Sequence, residues 1–404
     1  MKIVVLKFGG TSVGTIDRIK KISNIIISYI KKKNKVIVIS SAMSGSTNEL
    51  IEKSKQISDN FISSEYDVLV SSGEQISCAL ISGRLNHLGY KSQSWMGWQI
   101  PIITDENFSS SRIVQIYKKR ILNYLKKGGI PIITGFQGIN MNKRITTLGR
   151  GGSDASAIMI AKFFRAKKCV IYTDVKGVYT TDPKILKTAK KIHVISYEEM
   201  LEMASLGAKV MQPISIQDAR LNRIDIDVKS SFIKEDGTLI TKRKNIKNRR
   251  IITGISFTKS DTKITLIGVK DKPGIAAAIF KPLSESLINV DMVVQNISSN
   301  GKYTDLTFTI KSDDLQKTKK IIKNNKNIKF KNLLINDNVS KISIIGVGMI
   351  TTPGVTYRMF QALARKKINI EVISTSEIKI SVLINKKNLK TAVSALHKEF
   401  NLNR

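Results

Sequence analysis

The first half of the chain alternates short apolar runs with segments of helical period, and this alternation limits the possible folds more than any other feature. Strands are predicted at residues 3–6, 36–40, 130–134 and 169–173, and helices at 15–31, from about 48, 73–87, 154–164 and 197–206. Such an order predicts an α/β sandwich with a mostly parallel sheet. Ligands of that class bind at the carboxyl ends of the strands.

A first glycine-bearing motif, Lys7-Phe8-Gly9-Gly10, follows the first predicted strand. Its lysine precedes the glycines, whereas a P-loop places the lysine after them. Bare backbone at Gly9 and Gly10 can approach phosphate oxygens, the next helix directs its positive end at them, and Lys7 bridges the terminal phosphates. The alternative is a glycine-tightened turn with a solvated lysine.

A second motif makes that alternative less favourable. It reads Gly149-Arg150-Gly151-Gly152-Ser153-Asp154 and precedes a predicted helix. Together the two motifs indicate a phosphate-handling enzyme that acts on a small carboxylic acid.

Length and composition set broad limits. A chain of 404 residues exceeds one ordinary core, so two or three domains are expected. The two cysteines, Cys78 and Cys169, cannot form a disulfide framework, and the three histidines have no metal-ligand spacing. No apolar run suits a signal peptide or a membrane helix. We therefore expect a cytoplasmic protein with no membrane partner.

The formal net charge of +36 raises the question of nucleic-acid binding. The lysines are spread along the whole chain among isoleucine and asparagine, and only residues 242–250 form a basic run. That pattern fits a general compositional bias and a solvated linker, so no nucleic-acid partner is expected. Anionic substrates such as ATP and a dicarboxylate would also associate faster in a positive field.

Beyond the basic run a repeat appears, in which the Pro-Gly turn and the start of a later strand recur 80 residues further on. Gly274 recurs as Gly354 in a Pro-Gly turn, and Asn289 recurs as Asn369 at the start of a later strand. Each copy reads as a strand, the turn, an amphipathic helix (275–287; 355–366) and a second strand, which predicts a compact βαββαβ fold. Two such copies suggest paired small-molecule sites.

At this point the chain resembles the aspartate kinase family of the monofunctional, lysine-pathway type, over essentially its full length. The motifs are Lys-Phe-Gly-Gly-Thr-Ser-Val at 7–13, Ser-Gly-Glu-Gln at 72–75, Thr-Thr-Leu-Gly-Arg-Gly-Gly-Ser-Asp at 146–154, Tyr-Thr-Asp-Val-Lys-Gly-Val-Tyr-Thr-Thr-Asp-Pro at 172–183 and Ser-Thr-Ser-Glu-Ile-Lys-Ile-Ser-Val at 374–382. The resemblance implies an amino-acid-kinase catalytic domain at 1–240, a basic linker at 241–260, and two ferredoxin-like ACT domains at 261–337 and 338–404, with strands exchanged between the copies as an open possibility.

The resemblance implies ATP-dependent phosphorylation of the aspartate side-chain carboxylate, which is already ionised at neutral pH and needs no general base. Lys7 and Asp154 would be catalytic. The implied substrate contacts are Ser41, Thr47, Glu74, Arg150, Gly151 and Ser153. Arg150 suits the α-carboxylate as a two-pronged donor, and Glu74 suits the α-ammonium. Helix capping or a surface ion pair is the alternative for Arg150 and Asp154.

The nucleotide site implied by the resemblance draws on several segments and on Mg²⁺ carried by ATP, with no dedicated protein metal site. Its residues are Lys7, Phe8, Gly9, Gly10, Thr173, Asp174, Tyr179, Asp182, Lys184 and Lys209. Lys184 stands where arginine is common in the family, so a point charge replaces a bidentate contact. Asp182-Pro183 also fits a simple turn.

The ACT repeat implies feedback inhibition by lysine, threonine or both, at sites where the Pro-Gly turn meets a partner ACT domain. The implied effector residues are Asp271, Gly274, Ile275, Val290, Asp291, Gln295 and Asn296, then Gly354, Val355, Asn369 and Ile370. Asp291 and its counterpart Glu371 suit an effector ammonium, or are ordinary solvated charges. No methionine lies between Met211 and Met292, so an internal start before the first copy is absent and a homodimer or homotetramer through the ACT domains is expected.

Two other functions compete. One is an amino-acid-kinase relative acting on glutamate, acetylglutamate, carbamate or UMP, against which the ACT pair argues. The other is a catalytically dead amino-acid sensor or basic nucleic-acid binder, which predicts damage to Lys7, Glu74, Arg150 or Asp154. All four are intact.

Overall fold

The computed structural model describes residues 2–208, 210–246, 250–297, 302–325 and 328–403. The chain forms two units. The first comprises Met1–Val178, Lys191–Ser205 and Lys209–Asn248, and the second comprises Tyr179–Lys190, Leu206–Ala208 and Arg249–Arg404. Among the described residues, every helix falls short of the length and apolarity that crossing a lipid bilayer demands.

The first unit alternates strands and helices. In chain order they are β1 (Ile3–Phe8), α1 (Ile16–Lys31), β2 (Lys35–Ser40), α2 (Ser46–Ile57), α3 (Ser63–His87), β3 (Ser92–Trp95), β4 (Ile102–Thr104), β5 (Ile113–Ile116), α4 (Lys119–Lys126), β6 (Ile130–Thr134), β7 (Gln137–Ile139), β8 (Ile145–Thr147), α5 (Gly152–Phe163), β9 (Lys168–Thr173), β10 (Val194–Ser196), α6 (Tyr197–Ser205), α7 (Pro213–Asn222), β11 (Ile226–Ser230) and β12 (Thr238–Thr241).

The main sheet of this unit has the order β10-β12-β11-β9-β1-β2-β6-β3. All neighbouring pairs are parallel except β11 with β12. A smaller sheet has the order β5-β4-β7-β8. The predicted α/β sandwich with a mostly parallel sheet is confirmed. Because β1 is flanked by β2 and β9, the carboxyl ends of these strands meet at one edge of the sheet.

Helices cover both faces of the main sheet because side chains alternate along each strand. Leu6 and Phe8 of β1 share a buried cluster with Ile22 of α1 and Ile81 of α3. Helix α5 packs against β1 and β9 on the other face. Helix α1 begins where the Thr15 side chain accepts a hydrogen bond from the Arg18 amide at 3.2 Å, which satisfies a free donor of its first turn.

Helix α3 begins ten residues earlier than the predicted start at residue 73. Its first turns, Ser63–Ser72, contain four serines and two valines, which favour helices weakly. The buried side chains of Asp67, Val70 and Ser71 show that tertiary packing stabilises these turns. The Ser-Gly-Glu-Gln motif therefore lies inside a long helix rather than at its start.

The second unit holds both repeats. Its elements are β13 (Gly254–Lys270), α8 (Ile275–Glu285), β14 (Asp291–Ile297), β15 (Tyr303–Lys311), α9 (Leu315–Asn324), β16 (Asn332–Ile345), α10 (Val355–Ala364), β17 (Ile370–Thr375), β18 (Lys379–Asn385) and α11 (Leu389–Glu399). They form an antiparallel sheet with the order β14-β15-β13-β16-β18-β17.

Strands β13 and β16 each run through both repeats. The start of β13, Gly254 to Thr258, pairs with Lys341 to Ile345 of β16, and its later part pairs with Asn332 to Val339. Each repeat keeps its own core: Leu266 and Phe308 pack with α8 and α9, whereas Ile342 and Val382 pack with α10 and α11. The two repeats are ferredoxin-like, as predicted.

Part of the region predicted as a linker, 241–260, belongs to the second repeat. Strand β13 begins at Gly254, and Ile252 and Ile255 are buried in that repeat's core. The basic run indicated a solvated segment, but the strand that pairs with Ile255 lies far along the chain at Ile344. Local composition does not show such a pairing.

Candidate active site at the carboxyl edge of the parallel sheet

Lys7 occupies the end of the central strand β1 and faces α5. Its Nζ lies 2.6 Å from Oδ1 of Asp154, and the two side chains are only 10% and 11% exposed. Asp154 lies in the first turn of α5, where a carboxylate is also favoured by the helix dipole. Since a buried ion pair holds both groups in one geometry, the ammonium of Lys7 is fixed at the edge of the sheet.

Gly9 and Gly10 leave space beside this ammonium. A β-carbon at Gly9 would lie 3.5 Å from Lys7 Nζ, and one at Gly10 would lie 3.0 Å from the Ala42 carbonyl oxygen. Side chains here would fill the volume that phosphate oxygens need. The Phe8 ring is buried and stacks on Tyr172, with centroids 4.9 Å apart. Only the Phe8 backbone can therefore face a ligand.

Glu74 of α3 lies against the loop that follows β2. The Ala42 amide donates to its Oε1 at 3.0 Å, and a β-carbon on Gly73 would come within 2.8 Å of the Ala42 side chain. Glu74 is 3% exposed, and among the described residues its Oε2 has no hydrogen-bond partner. Burial raises the pKa of Glu74 to about 7. This oxygen can accept a hydrogen bond from a ligand.

The loop after β2 is held from two sides. The Ser41 amide donates to the Phe8 carbonyl at 3.1 Å, and the Ser77 hydroxyl of α3 donates to the Ser41 carbonyl at 2.7 Å. Ser41 is half-buried, as is Thr47 in the first turn of α2. The structure thus places Ser41, with Glu74 and Lys7, at the carboxyl edge of the sheet.

The start of α5 is packed too closely for side chains. Gly151 precedes the helix with φ at 77°, and a β-carbon on Gly152 would lie 2.7 Å from the Phe136 ring. A β-carbon on Gly135, after β6, would come within 2.8 Å of Ser153. Arg150 is exposed, and no carboxylate in the described part of the chain pairs with it. Its guanidinium is available to an anionic ligand.

Asp67, a carboxylate of α3 that is 0% exposed, lies outside every motif in the sequence. It accepts hydrogen bonds from the amide and hydroxyl of Ser109 and from the amide and hydroxyl of Thr147, at 2.7 to 3.1 Å. No motif signals it, because an aspartate inside a helix ordinarily lies at the surface.

The residues predicted to bind nucleotide are divided between the two units. Thr173 ends β9, which pairs with β1, and Asp174 follows it; the Thr173 hydroxyl donates to the Asp174 carboxylate at 3.1 Å. Tyr179, Asp182 and Lys184 lie in the segment Tyr179–Lys190, which belongs to the second unit.

Within that segment, the Asp182 side chain accepts from the Lys184 amide at 2.8 Å, as in a turn. Lys209 lies outside the described residues.

Each repeat has an open cleft at its Pro-Gly turn. The first, of about 450 Å³, includes Asp271, Gly274, Ile275 and Gln295 in its lining. The second, of about 530 Å³, includes Gly354 and Val355 with Thr375, the counterpart of Gln295.

The other predicted effector residues do not line these clefts; they are Val290, Asp291, Asn296, Asn369 and Ile370. Instead of facing a cleft, Asp291 is paired with Lys341, and Glu371 with Lys263.

Comparison with known proteins gives consistent matches. Residues 2–230 match the Amino acid kinase family, and residues 264–325 and 342–400 match the ACT domain. The chain is 41% identical to an aspartokinase of Bacillus sp. (strain MGA3) over 403 residues, covering 100% of this chain and 98% of that protein. It is 43% identical to an aspartate kinase of Pseudomonas putida over 404 residues, with the same coverage.

A solved structure has a similar fold over nearly the full length of this chain. The crystal structure of E. coli aspartokinase III in complex with aspartate and ADP (R-state) has a TM-score of 0.80 and 25% identity, covering 99% of this chain and 100% of that chain. The family matches, the full-length identity and the shared fold agree with one another. We conclude that the chain belongs to the aspartate kinase family and is a kinase enzyme whose amino-acid-kinase region is followed by two ACT repeats.

Proposed function

We propose that the enzyme transfers the γ-phosphoryl group of ATP to the side-chain carboxylate of L-aspartate, giving ADP and 4-phospho-L-aspartate. A bond forms between a carboxylate oxygen and the γ-phosphorus, and the bond from that phosphorus to the bridging oxygen of ADP breaks. The observation that supports this most strongly is the buried Lys7–Asp154 pair beside a loop held by Glu74, whose second oxygen has no hydrogen-bond partner in the described part of the chain.

The proposed roles follow from charge. Lys7 neutralises the transferring phosphoryl group, and the backbone at Gly9 and Gly10 lies against the phosphates. Arg150 holds the α-carboxylate and Glu74 the α-ammonium, so the side-chain carboxylate is the free end of the substrate. Ser41, Thr47, Gly151 and Ser153 complete the substrate site. E. coli aspartokinase III has been crystallised with aspartate and ADP, which supports aspartate as the acceptor and an adenine nucleotide as the donor.

The other nucleotide contacts are proposed from the resemblance: Thr173, Asp174, Tyr179, Asp182, Lys184 and Lys209. Mg²⁺ would neutralise charge on the phosphates when bound. In the described ranges, no three His, Cys, Asp or Glu side chains converge. An Mg²⁺ ion that is held mainly by phosphate oxygens and water needs no such cluster. Asp174, exposed at the end of β9, would be its protein carboxylate.

The reaction is tested by incubating the enzyme with ATP, Mg²⁺ and each candidate acceptor and measuring ADP release in a coupled assay, with hydroxylamine trapping of the acyl phosphate formed from a carboxylate. Product is expected with L-aspartate, and not with L-glutamate, N-acetyl-L-glutamate, carbamate or UMP. Arg150→Ala should raise the KM for aspartate about 100-fold, because two charged hydrogen bonds are lost. Lys7→Ala should lower kcat at least about 100-fold.

A matched control is Lys53→Ala, which removes an exposed positive charge from α2; its kinetic constants should equal those of the unaltered enzyme. A folded Arg150→Ala enzyme with an unchanged KM for aspartate would refute the proposed substrate site.

We further propose that the reaction begins the biosynthesis of lysine, threonine and methionine, and that lysine, threonine or both inhibit it through the ACT clefts. E. coli aspartokinase III has been crystallised with lysine and aspartate in a T-state, which supports an amino-acid effector. Inhibition requires that the effector bind one global state better than the other. Full activity with both amino acids at millimolar concentration would reject this proposal.

A homodimer or homotetramer through the ACT repeats is also proposed. Light scattering of the purified full chain measures its mass directly, and a monomer would reject the proposal.

A further inference from the structure

Asp67 is a buried carboxylate to which the proposed reaction assigns no role. In a chain with 67 lysines and arginines, none of those described pairs with it. Burial of an unpaired charge is costly, so its hydrogen bonds must offset most of that cost. All of these bonds come from two residues, Ser109 and Thr147.

These two residues belong to separate segments of the chain, and Asp67 on α3 is hydrogen-bonded to both. Ser109 lies between β4 and β5, and Thr147 ends β8. A further link ties the same segments together, because the amide and hydroxyl of Ser111 both donate to the Thr147 carbonyl at 2.9 Å. Three parts of the unit therefore meet at the carboxylate of Asp67.

Thr147 lies three residues before Arg150. Between them, Gly149 has φ at 70°, and a β-carbon on it would lie 3.0 Å from the Ser109 carbonyl oxygen. The chain that leaves β8 toward Arg150 is thus held at Thr147 by Asp67 and confined at Gly149 by the backbone of Ser109.

Glu74 lies on the same helix, seven residues after Asp67. Seven residues are about two helical turns, or about 10 Å along the axis, so the two carboxylates share one face of α3. One end of this face holds the loop of Ala42 through Glu74, and the other holds the chain leading to Arg150 through Asp67.

We propose that Asp67 is a positioning residue for the acceptor substrate: through Thr147 it sets the position of the Arg150 guanidinium relative to the Glu74 carboxylate. The inference rests on the proposed roles of Arg150 and Glu74. Because catalysis is sensitive to misplacement of about 1 Å, loss of this anchor weakens aspartate binding. Nucleotide binding depends on Lys7, Gly9 and Gly10 and is unaffected.

Two variants test the anchor. Thr147→Val removes one hydroxyl donor and keeps the shape of the side chain. Asp67→Asn keeps the shape of the carboxylate but replaces one acceptor oxygen. The expected result for both is a KM for aspartate raised about tenfold with a KM for ATP within about twofold. Thr147→Ser retains the hydroxyl and should restore the KM for aspartate.

The matched control is Thr104→Val, the same change in the same small sheet. The Thr104 hydroxyl bonds to that of Thr146 at 2.6 Å and is not bonded to Asp67. This variant should lower the melting temperature and leave both KM values unchanged. Equal rises in the KM for aspartate in Thr147→Val and Thr104→Val would overturn the inference, as would equal rises in the two KM values of Thr147→Val.

Arg150→Ala separates this inference from the proposed substrate site. If Arg150→Ala leaves the KM for aspartate unchanged, the proposed site is wrong and the inference falls with it. If Arg150→Ala raises that KM while Thr147→Val and Asp67→Asn do not, the site stands and the positioning role of Asp67 is rejected. Should Asp67→Asn not fold, Thr147→Val and Ser109→Ala decide the question.

Discussion

At the scale of single residues, the burial of Glu74 lowers the stability of the folded protein but favours binding of a cationic group to its carboxylate. Its carboxylate is buried, Oε1 is held by the Ala42 amide, and burial raises its pKa from 4.5 to about 7. A substrate ammonium at Oε2 would supply the missing partner and favour the ionised form. The same desolvation that disfavours the charge in the free enzyme strengthens its attraction for a cationic group.

This environment predicts a pH dependence of aspartate binding. Below about pH 7 Glu74 becomes protonated and no longer attracts the ammonium, whereas the substrate's own carboxylates remain ionised. We expect kcat/KM for aspartate to fall about tenfold per pH unit below that value. In Glu74→Gln the step should vanish and the KM for aspartate should be high at every pH. A profile of wild-type shape in Glu74→Gln would contradict the assignment.

The raised pKa also predicts an effect on stability. The folded state binds more protons than the unfolded state between pH 4.5 and about 7, so the contribution of Glu74 to stability is lost as pH rises through that window. At pH 8 the loss is at most about 3 kcal/mol. Thermal unfolding of the ligand-free protein should therefore show a higher melting temperature for Glu74→Gln than for wild type at pH 8. A lower one would contradict this.

At the scale of secondary-structure elements, the exchange of β13 and β16 between the repeats determines how the second unit holds together. Lys341 of β16 has a side chain only 6% exposed, paired with Asp291 of β14 and 3.7 Å from Asp261 of β13. Lys263 of β13 pairs with Glu371 of β17 in the corresponding way. Each long strand thus carries a lysine that reaches the other repeat.

Lys341→Met should destabilise the second unit, because it leaves the buried Asp261 carboxylate without its cation. Breaking a buried pair typically costs about 3 kcal/mol or more. Urea unfolding followed by circular dichroism measures this. Lys53→Met is the control: it breaks the exposed Lys53–Glu49 pair at 2.9 Å and should cost less than about 1 kcal/mol. Equal losses in the two variants would show that Lys341 contributes no more than a surface charge.

At the scale of the whole molecule, the net charge of +36 is the dominant electrostatic property. Both proposed substrates are anions, so the positive field raises their rate of encounter with the protein. Attraction of these anionic substrates is a role for the positive charge that requires no nucleic-acid partner.

This field predicts a salt dependence. Raising the salt concentration from about 20 mM to about 500 mM shortens the screening length severalfold and should raise the KM for ATP, with a smaller change in kcat. Sucrose at matched osmolality is the control and should leave both constants unchanged. A KM for ATP that is insensitive to salt would show that long-range charge plays no part in substrate capture.

Much of this architecture could be predicted from the sequence. Lysine before paired glycines, the Gly-Arg-Gly-Gly-Ser-Asp run and the 80-residue repeat are local or periodic features, and backbone chemistry ties each to a strand end, a helix start or a turn. The alternation of apolar runs with helical segments was sufficient for the α/β class, the repeat was sufficient for the ferredoxin-like domains, and the enzyme family followed from the resemblance of the motifs to aspartate kinases. Local patterns carry this information because glycine and helix-start requirements act over a few residues.

Only the tertiary structure decided the rest. Glu74 is buried where Gly73 packs against Ala42, and its Oε2 has no hydrogen-bond partner among the residues that the structure describes. The hydrogen bonds that Asp67 accepts come from Ser109 and Thr147, 42 and 80 residues away. The passage of β13 through both repeats depends on a strand some ninety residues later. In each case the determining contact joins residues distant in the chain, and the energy of such contacts comes from burial that no local sequence pattern records.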